Sequence, residues 1–332
     1  MGHLNLNGKT AVVTGASGYI GSVLVDALLK HSCKVVRVSR SNLASTGQTK
    51  TINADVCNED LWANVVQEAD IIYHLAGNTS VYQAAKDPAE SLRSTLLPLN
   101  HLTKVAKEMQ RKPRVVFAST ATVYGLTPRL PVSETILPKP TTIYDLHKLF
   151  AEQQIDLATQ QGTIESVSLR LANVYGPSKS GSSANDRGVL NKVAANALQG
   201  KDLMVYGGGN YLRDYIYITD VVNALLIAGA TPGLSGEVFN VASGVGNTVK
   251  STFELVASQA ELITGKPLKV NFEKWPSGVA SIEFRDFTAD ISKYFATTNW
   301  RPVINLSDGI ALLLAEITHR GAVSSSNSNT EN

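Results

Sequence analysis

TAVVTGASGYIG, residues 10–21, decides the fold. Its first five residues are β-branched and apolar, a strand signal, and the chain then turns through Gly15 into a helical stretch over 19–30. Gly15, Gly18 and Gly21 stand between strand and helix with the spacing GxxGxxG. Glycine suits a sharp turn, a backbone that must approach a pyrophosphate, and a helix packed closely on its sheet. The helix start offers unpaired N–H groups and a positive dipole end to phosphate. A dinucleotide site built from Gly15, Ser17, Gly18, Tyr19, Ile20 and Gly21 is expected, with a purely structural turn as the alternative.

Outward from this stretch, short β-branched runs alternate with longer helical ones. Residues 34–39 (KVVRVS), 69–75 (ADIIYHL), 114–119 (RVVFAS), 165–171 and 237–241 are read as strands. The first three are continuous apolar runs, as a parallel sheet covered on both faces requires. Residues 58–68, 88–110, 143–160 and 219–230 are read as helices, and Pro98 is expected to kink or split the second of these. The alternation predicts an α/β fold, a doubly wound parallel (Rossmann) sheet with right-handed crossovers and a smaller, mainly C-terminal substrate domain. The second half holds a Gly/Ser-rich stretch at 177–188, a helix near 189–199, the YGGGN segment, then from about 266 short strands and turns before a helix near 307–318. Residues 1–176 are expected to form the dinucleotide domain, its sheet completed by 219–245. Residues 177–218 and 246–322 are assigned to substrate binding, and the Ser/Asn-rich 323–332 to a disordered tail.

Composition removes several function classes. The chain has 332 residues, net charge +2 and 17% charged residues, with no basic run, so bulk electrostatic binding of nucleic acid is not expected. Cys33 and Cys57 are the two cysteines, in no CxxC spacing, and no HxxxH pair occurs among the six histidines. No metal site and no disulfide framework are expected, and a reducing, cytoplasmic setting fits. No apolar run reaches the ~20 residues of a membrane span, and no signal peptide is read at the N-terminus.

At the end of the second strand an NAD enzyme usually carries an acid for the adenosine ribose. Ser39 and Arg40 stand there instead, able to hold a ribose phosphate, so NADP(H) is favoured and NAD(H) is the alternative. The competing reading makes Arg40 a solvated surface residue. Asp55, with Val56, follows the third strand and is placed to meet adenine, or else is a helix-start acid. Tyr144 and Lys148 form YxxxK, which a helix puts on one face. The lysine lowers the tyrosine pKa, and the phenol can then exchange a proton with a carbinol oxygen. Thr120, in STATVYG at 119–125, supplies a hydroxyl to the same oxygen.

TGASGYIG, HLAG at 74–77, STATVYG, YDLHK, LRLANVYGP at 169–177 and GGGNYLRDYIYITD at 207–220 together resemble the extended short-chain dehydrogenase/reductases. More narrowly, from about residue 9 to 319, they resemble the NAD(P)-dependent nucleotide-sugar epimerase/dehydratase family. The resemblance implies that Tyr144 is the general acid/base, that Lys148 supports it and binds the nicotinamide ribose, and that Thr120 orients substrate. It implies that Leu75, Ala76 and Gly77 pass the cofactor, that Asn173 contacts substrate, and that Arg213 and Arg285 clamp a diphosphate. The alternatives for the arginines are salt bridges, Arg213 with Asp214 or Asp220 and Arg285 with Glu283 or Asp286. His74 and His147 are assigned to packing and helix surface. A homodimer through the helices at 88–110 and 143–160 is implied as well.

Departures narrow the reaction. Family dehydratases and decarboxylases carry an acid just after the catalytic hydroxyl, where this chain has Ala121 and Thr122, and a frequent asparagine is replaced by Thr95. The ATVYG run is similar to that of the 4-epimerases. A nucleotide-sugar epimerase working by transient hydride transfer at C4 is therefore expected. An NADPH-dependent reductase of a nucleotide-linked 4-keto-6-deoxy sugar is the alternative, and a non-catalytic dinucleotide-binding scaffold the third reading.

Overall fold

The computed structural model describes residues 4–41, 43, 47–177 and 188–328. In chain order the first half comprises β1 (Thr10–Thr14), α1 (Tyr19–Lys30), β2 (Lys34–Ser39), β3 (Thr49–Asn53), α2 (Glu59–Glu68), β4 (Ile71–His74), α3 (Val81–Lys86), α4 (Pro88–Glu108), β5 (Arg114–Thr120), α5 (Ile143–Gln160) and β6 (Glu165–Leu171). There follow β7 (Asn173–Tyr175), α6 (Val189–Leu198), β8 (Leu203–Tyr206), β9 (Leu212–Tyr217), α7 (Ile218–Ala230), β10 (Glu237–Val241), β11 (Gly246–Thr248), α8 (Val249–Thr264), β12 (Val270–Glu273), α9 (Ser292–Thr298) and α10 (Leu306–Ser328).

Seven parallel strands make one sheet in the order β10-β6-β5-β4-β1-β2-β3. The chain leaves β1 toward β2 and later returns to the other side through β4, so the order reverses between β1 and β4. Loops diverge at such a switch point and leave a crevice at the carboxyl ends of the strands. Both faces are covered, which is why the strands read as unbroken apolar runs. On one face Leu24 and Leu28 of α1 and Leu225 of α7 pack over Val35, Tyr73 and Val116. On the other, Trp62 of α2, Leu99 and Leu102 of α4 and Ile155 of α5 pack over Ile72 and Phe117. Fully burying one such side chain contributes roughly 1.5–3 kcal/mol.

The expected split of the 88–110 helix does not occur: α4 runs unbroken through Pro98. Proline at this place deprives the Ser94 carbonyl of its helical partner. The turns on both sides are nevertheless clamped by buried Ser91, Thr95, Leu99 and Leu102. Burial of the flanking turns outweighs one missing hydrogen bond.

In the second half, β11-β9-β7 form a three-stranded sheet and β12-β8 a two-stranded one. Around them α6, α8 and α10 bury Leu190, Val193, Phe253, Val256, Ile310 and Leu313 as a separate cluster. α8 occupies a stretch left without an element in the sequence reading. α10 extends to Ser328, across the start of the tail expected at 323. A helix already nucleated and packed gains one hydrogen bond for each residue added, which favours its continuation. Residues 178–187, most of the Gly/Ser-rich stretch, and 329–332 of the expected tail lie outside the described residues. Among the described residues, no helix is long and apolar enough to cross a membrane.

Candidate active site

The expected cofactor positions in the first 77 residues lie at the carboxyl ends of β1 to β4, around the switch point, while Tyr144 and Lys148 lie on α5. Gly15 follows β1 with φ +67°, and a Cβ there would stand 3.0 Å from the Ala76 nitrogen in the loop after β4. Thr14 closes the same junction: its hydroxyl meets His74 Nδ1 at 2.9 Å and accepts the N–H groups of Leu75 (3.1 Å) and Ala76 (3.2 Å). A Cβ on Gly21 would come within 2.2 Å of the Gly15 carbonyl oxygen, so the first turn of α1 lies against the loop as only glycine permits. Gly18 caps α1 without a side-chain hydrogen bond, and the first turn holds no acid. These free amides and the positive helix end fit a pyrophosphate. Tyr19 and Ile20 turn away from that opening. The Tyr19 hydroxyl donates to the Gly176 carbonyl at 2.7 Å, and Ile20 packs against the core clusters of both halves. Their main chain forms the first turn of α1, while their side chains join α1 to the second half.

At the end of β2, Ser39 is buried and donates to Ser17 Oγ at 2.8 Å, whereas Arg40 is exposed. Asp55 follows β3, where its carboxylate accepts the Cys57 N–H at 2.9 Å, a bond that lowers its pKa. The charges of Arg93, 3.9 Å away, and of Arg40 act in the same direction. Val56 is half-buried and its carbonyl accepts from Trp62 Nε1 at 2.8 Å.

Across the crevice, β5 and α5 carry the candidate catalytic groups. Thr142 caps α5, its hydroxyl accepting the Asp145 N–H, and the first turn thereby presents Tyr144, half-buried, one turn before Lys148. The Lys148 ammonium donates to the Ala118 carbonyl at 2.8 Å and lies 4.7 Å from the centre of the Phe117 ring. Burial pushes its pKa down to about 8. Thr120 ends β5 only two residues beyond this anchor, so strand and helix are tied together beside the crevice.

Support beneath the site is polar and buried. The Ser119 hydroxyl donates to Glu152, which also takes an Arg170 fork at 2.6 Å, and the Arg170 guanidinium lies 4.7 Å from the centre of the Tyr124 ring. The sequence reading missed this group, although Glu152 falls one helical turn after Lys148, on the same face. His74 and His147 are buried, His147 against Ser91 at 2.9 Å, and burial lowers both pKa values, that of His74 to about 3. His74 is thereby kept neutral.

Asn173 begins β7, and its side-chain oxygen accepts from Arg285 at 3.3 Å. Arg213 takes neither expected acid as a partner. Asp214 accepts from Ser243 and Gly244, and Asp220 from the Ile304 N–H, while Arg213 lies 3.8 Å from Glu283. Its guanidinium also donates to the carbonyls of Leu212 (3.0 Å), Glu283 (2.6 Å) and Arg285. Arg285 is buried, donating at 2.9 Å to the Ile282 carbonyl, and burial followed by the Arg213 charge pushes its pKa down to about 10. Among the described residues, no group of three or more His, Cys, Asp or Glu is placed to hold a metal ion.

The comparisons agree with this geometry. The family model "NAD dependent epimerase/dehydratase family" matches residues 11–242. The "UDP-glucose 4-epimerase" of Mycolicibacterium smegmatis is 28% identical over 90% of this chain and 96% of its own length. Among solved structures, the UDP-glucose 4-epimerase of Thermotoga maritima with UDP-glucose superposes with TM-score 0.82 at 26% identity, covering 94% of this chain and 99% of that one. The UDP-glucuronic acid 4-epimerase of Bacillus cereus, in complex with UDP-glucuronic acid and NAD, gives TM-score 0.81 at 28% identity, again over 94% and 99%. With a glycine turn at the switch point of a parallel sheet, the chain belongs to the NAD dependent epimerase/dehydratase family and is an enzyme of the extended short-chain dehydrogenase/reductase type.

Proposed function

We propose that the protein interconverts nucleotide sugars epimeric at C4. The observation that supports this reading is that Lys148, one helical turn after Tyr144, is bonded to the Ala118 carbonyl two residues before Thr120, with no acid at position 121 or 122. A bound nicotinamide dinucleotide supplies reversible hydride acceptance. The glycine loop and the open start of α1 bind its pyrophosphate, and Asp55 and the loop at 75–77 flank it. Tyr144 takes the proton from the sugar hydroxyl and returns it after the ring has turned over. Lys148 stabilises the phenolate by its charge. Thr120 hydrogen-bonds the same oxygen, and Asn173 and Arg285 stand toward the diphosphate. Nothing at Ala121 or Thr122 transfers a proton, which leaves dehydration without its usual acid.

NAD(H) is the better-supported cofactor. The Bacillus cereus neighbour holds NAD, and the Ser39 hydroxyl, expected to serve a ribose phosphate, is already directed at Ser17. Exposed Arg40 favours the second reading, a reductase using NADPH. A homodimer is also proposed, on the ground that Phe150 and Leu157 of α5 and Leu92 of α4 remain 41%, 55% and 43% exposed.

One experiment separates these readings: the protein is incubated with UDP-glucose and catalytic NAD+ or NADP+, and UDP-galactose is followed. Interconversion with NAD+ and no net cofactor reduction is expected, and Tyr144→Phe lowers kcat by roughly 10²–10⁴-fold while cofactor still binds. Stoichiometric NADPH consumption with a nucleotide-linked 4-keto-6-deoxy sugar, without interconversion, establishes the reductase instead.

A further inference from the structure

Asp145 has no role in the scheme above, yet it is fully buried directly beside Tyr144. Its two oxygens face two threonines. Thr142 Oγ1 donates to one at 2.7 Å, and Thr122 Oγ1 donates to the other. Thr122 in turn holds Thr120 twice. The two hydroxyl oxygens are 2.8 Å apart, and the Thr122 N–H donates to Thr120 Oγ1 at 3.2 Å. One unbroken row of hydrogen bonds therefore joins the start of α5, which carries Tyr144, to the end of β5, which carries Thr120.

We propose that Asp145 is a positioning residue that acts through Thr122 to fix the Thr120 side chain in one rotamer, and so to place its oxygen beside the reacting oxygen. The identity of that oxygen, a sugar carbinol, rests on the epimerase reading.

An ionised carboxylate only accepts hydrogen bonds, so the Thr122 proton is committed to Asp145. Thr122 then shows lone pairs to Thr120, whose single proton points to it in the ligand-free protein, so what the row fixes is the Thr120 rotamer and the place of its oxygen. With the Thr122 N–H on its oxygen as well, Thr120 is held from two directions and its rotamer is fixed. Burial raises the Asp145 pKa, while the two threonines and the charge of Arg285, which faces it from beyond the 3-10 turn Ser281–Phe284, lower it. A buried carboxylate is costly to retain unless its partners need it. Here it supplies the 121–122 turn from the side of α5, one hydroxyl removed from Thr120, although the turn itself has no acid.

Thr122→Val removes the relay hydroxyl at nearly constant shape, Thr122→Ser keeps it, and Asp145→Ala removes its anchor. With UDP-glucose, Thr122→Val is expected to lower kcat roughly ten- to a hundredfold, the scale of a misplaced catalytic group, with KM nearly unchanged. Thr122→Ser is expected to recover most of this loss, and adding Asp145→Ala to Thr122→Val to cost no more than the worse single change. In parallel, threonine side-chain couplings measured by NMR on the ligand-free protein should show one Thr120 rotamer in the wild type and Thr122→Ser, and averaging in Thr122→Val. The proposal is overturned if Thr120 keeps one rotamer in Thr122→Val, or if the two losses multiply. If the wild type fails to interconvert UDP-glucose, the epimerase reading falls, while the NMR measurement still decides the role of Asp145.

Discussion

Lys148 is 5% exposed, a cation held under a helix by one carbonyl and one aromatic ring. Burial lowers its pKa from 10.5 to about 8, so the folded state binds this proton less well than the unfolded chain does. The penalty is complete below pH 8 and is relieved as pH rises from 8 toward 10.5, because over that window the unfolded chain holds the proton and the folded one releases it. At 1.36 kcal/mol per unit the net penalty is roughly 3 kcal/mol, with the hydrogen bond to Ala118 already in place. Lys148→Met is therefore expected to raise the melting temperature of the ligand-free protein at pH 7, with a gain that shrinks toward pH 10, while turnover collapses. A variant less stable than wild type at pH 7 contradicts this account. On the proposed mechanism, the residue serves chemistry at the expense of the fold.

At the scale of elements, α5 does two jobs with two faces. Its buried face turns Lys148 and Glu152 to β5 and Asp145 to the turn that follows it, while Phe150 and Leu157, seven residues apart and so on one stripe, stay exposed. An apolar stripe on a helix packed beside α4, where Leu92 is also exposed, is suited to a second copy of the same pair. Sedimentation velocity is expected to show a dimer for the wild type and a monomer for Phe150→Glu/Leu157→Glu; a wild-type monomer at ~10 µM refutes the proposal. α8 shows where element reading falls short. Phe253, Val256, Ala257 and Ala260 have helical spacing, Thr248 caps the start and Gly265 the end in the left-handed region, so its signal was present in the sequence. The strands β7, β8, β11 and β12, three or four residues each, carry too few residues for any periodicity to register.

For the whole molecule, the arginines near the candidate diphosphate site divide their labour. Arg213 donates to three main-chain carbonyls and lies 3.8 Å from the Glu283 carboxylate, and so holds the segment around residues 282–285 to β9. Arg285 is buried beside that like charge, with its pKa pushed down to about 10, so its cation opposes folding. Arg285→Leu is expected to leave the ligand-free melting temperature unchanged or higher, yet to weaken UDP-glucose by an order of magnitude or more in a thermal-shift titration. Arg213→Ala is expected to lower the melting temperature itself by several degrees, since its loss takes the guanidinium donors from the Glu283 and Arg285 carbonyls. Parallel loss of stability in both variants would falsify this division.

Local sequence determined the Rossmann sheet, the glycine turn at residues 15–21 and the spacing of Tyr144 with Lys148. Each depends on a pattern shorter than about 20 residues: a buried apolar run, a backbone that tolerates no Cβ, one turn of helix. The tertiary structure alone decided what those residues meet. Asp145 reads as an ordinary acid in a first helical turn until β5 brings Thr122 against it, 23 positions away in sequence. Arg213 reads as a partner for Asp214 or Asp220 until the segment near residue 283 arrives, 70 positions later. Pro98 reads as a break until the cores on either side of it close over α4. Pairings across such distances are set by which buried polar groups must find partners once the apolar faces have packed, and no short-range pattern encodes that outcome.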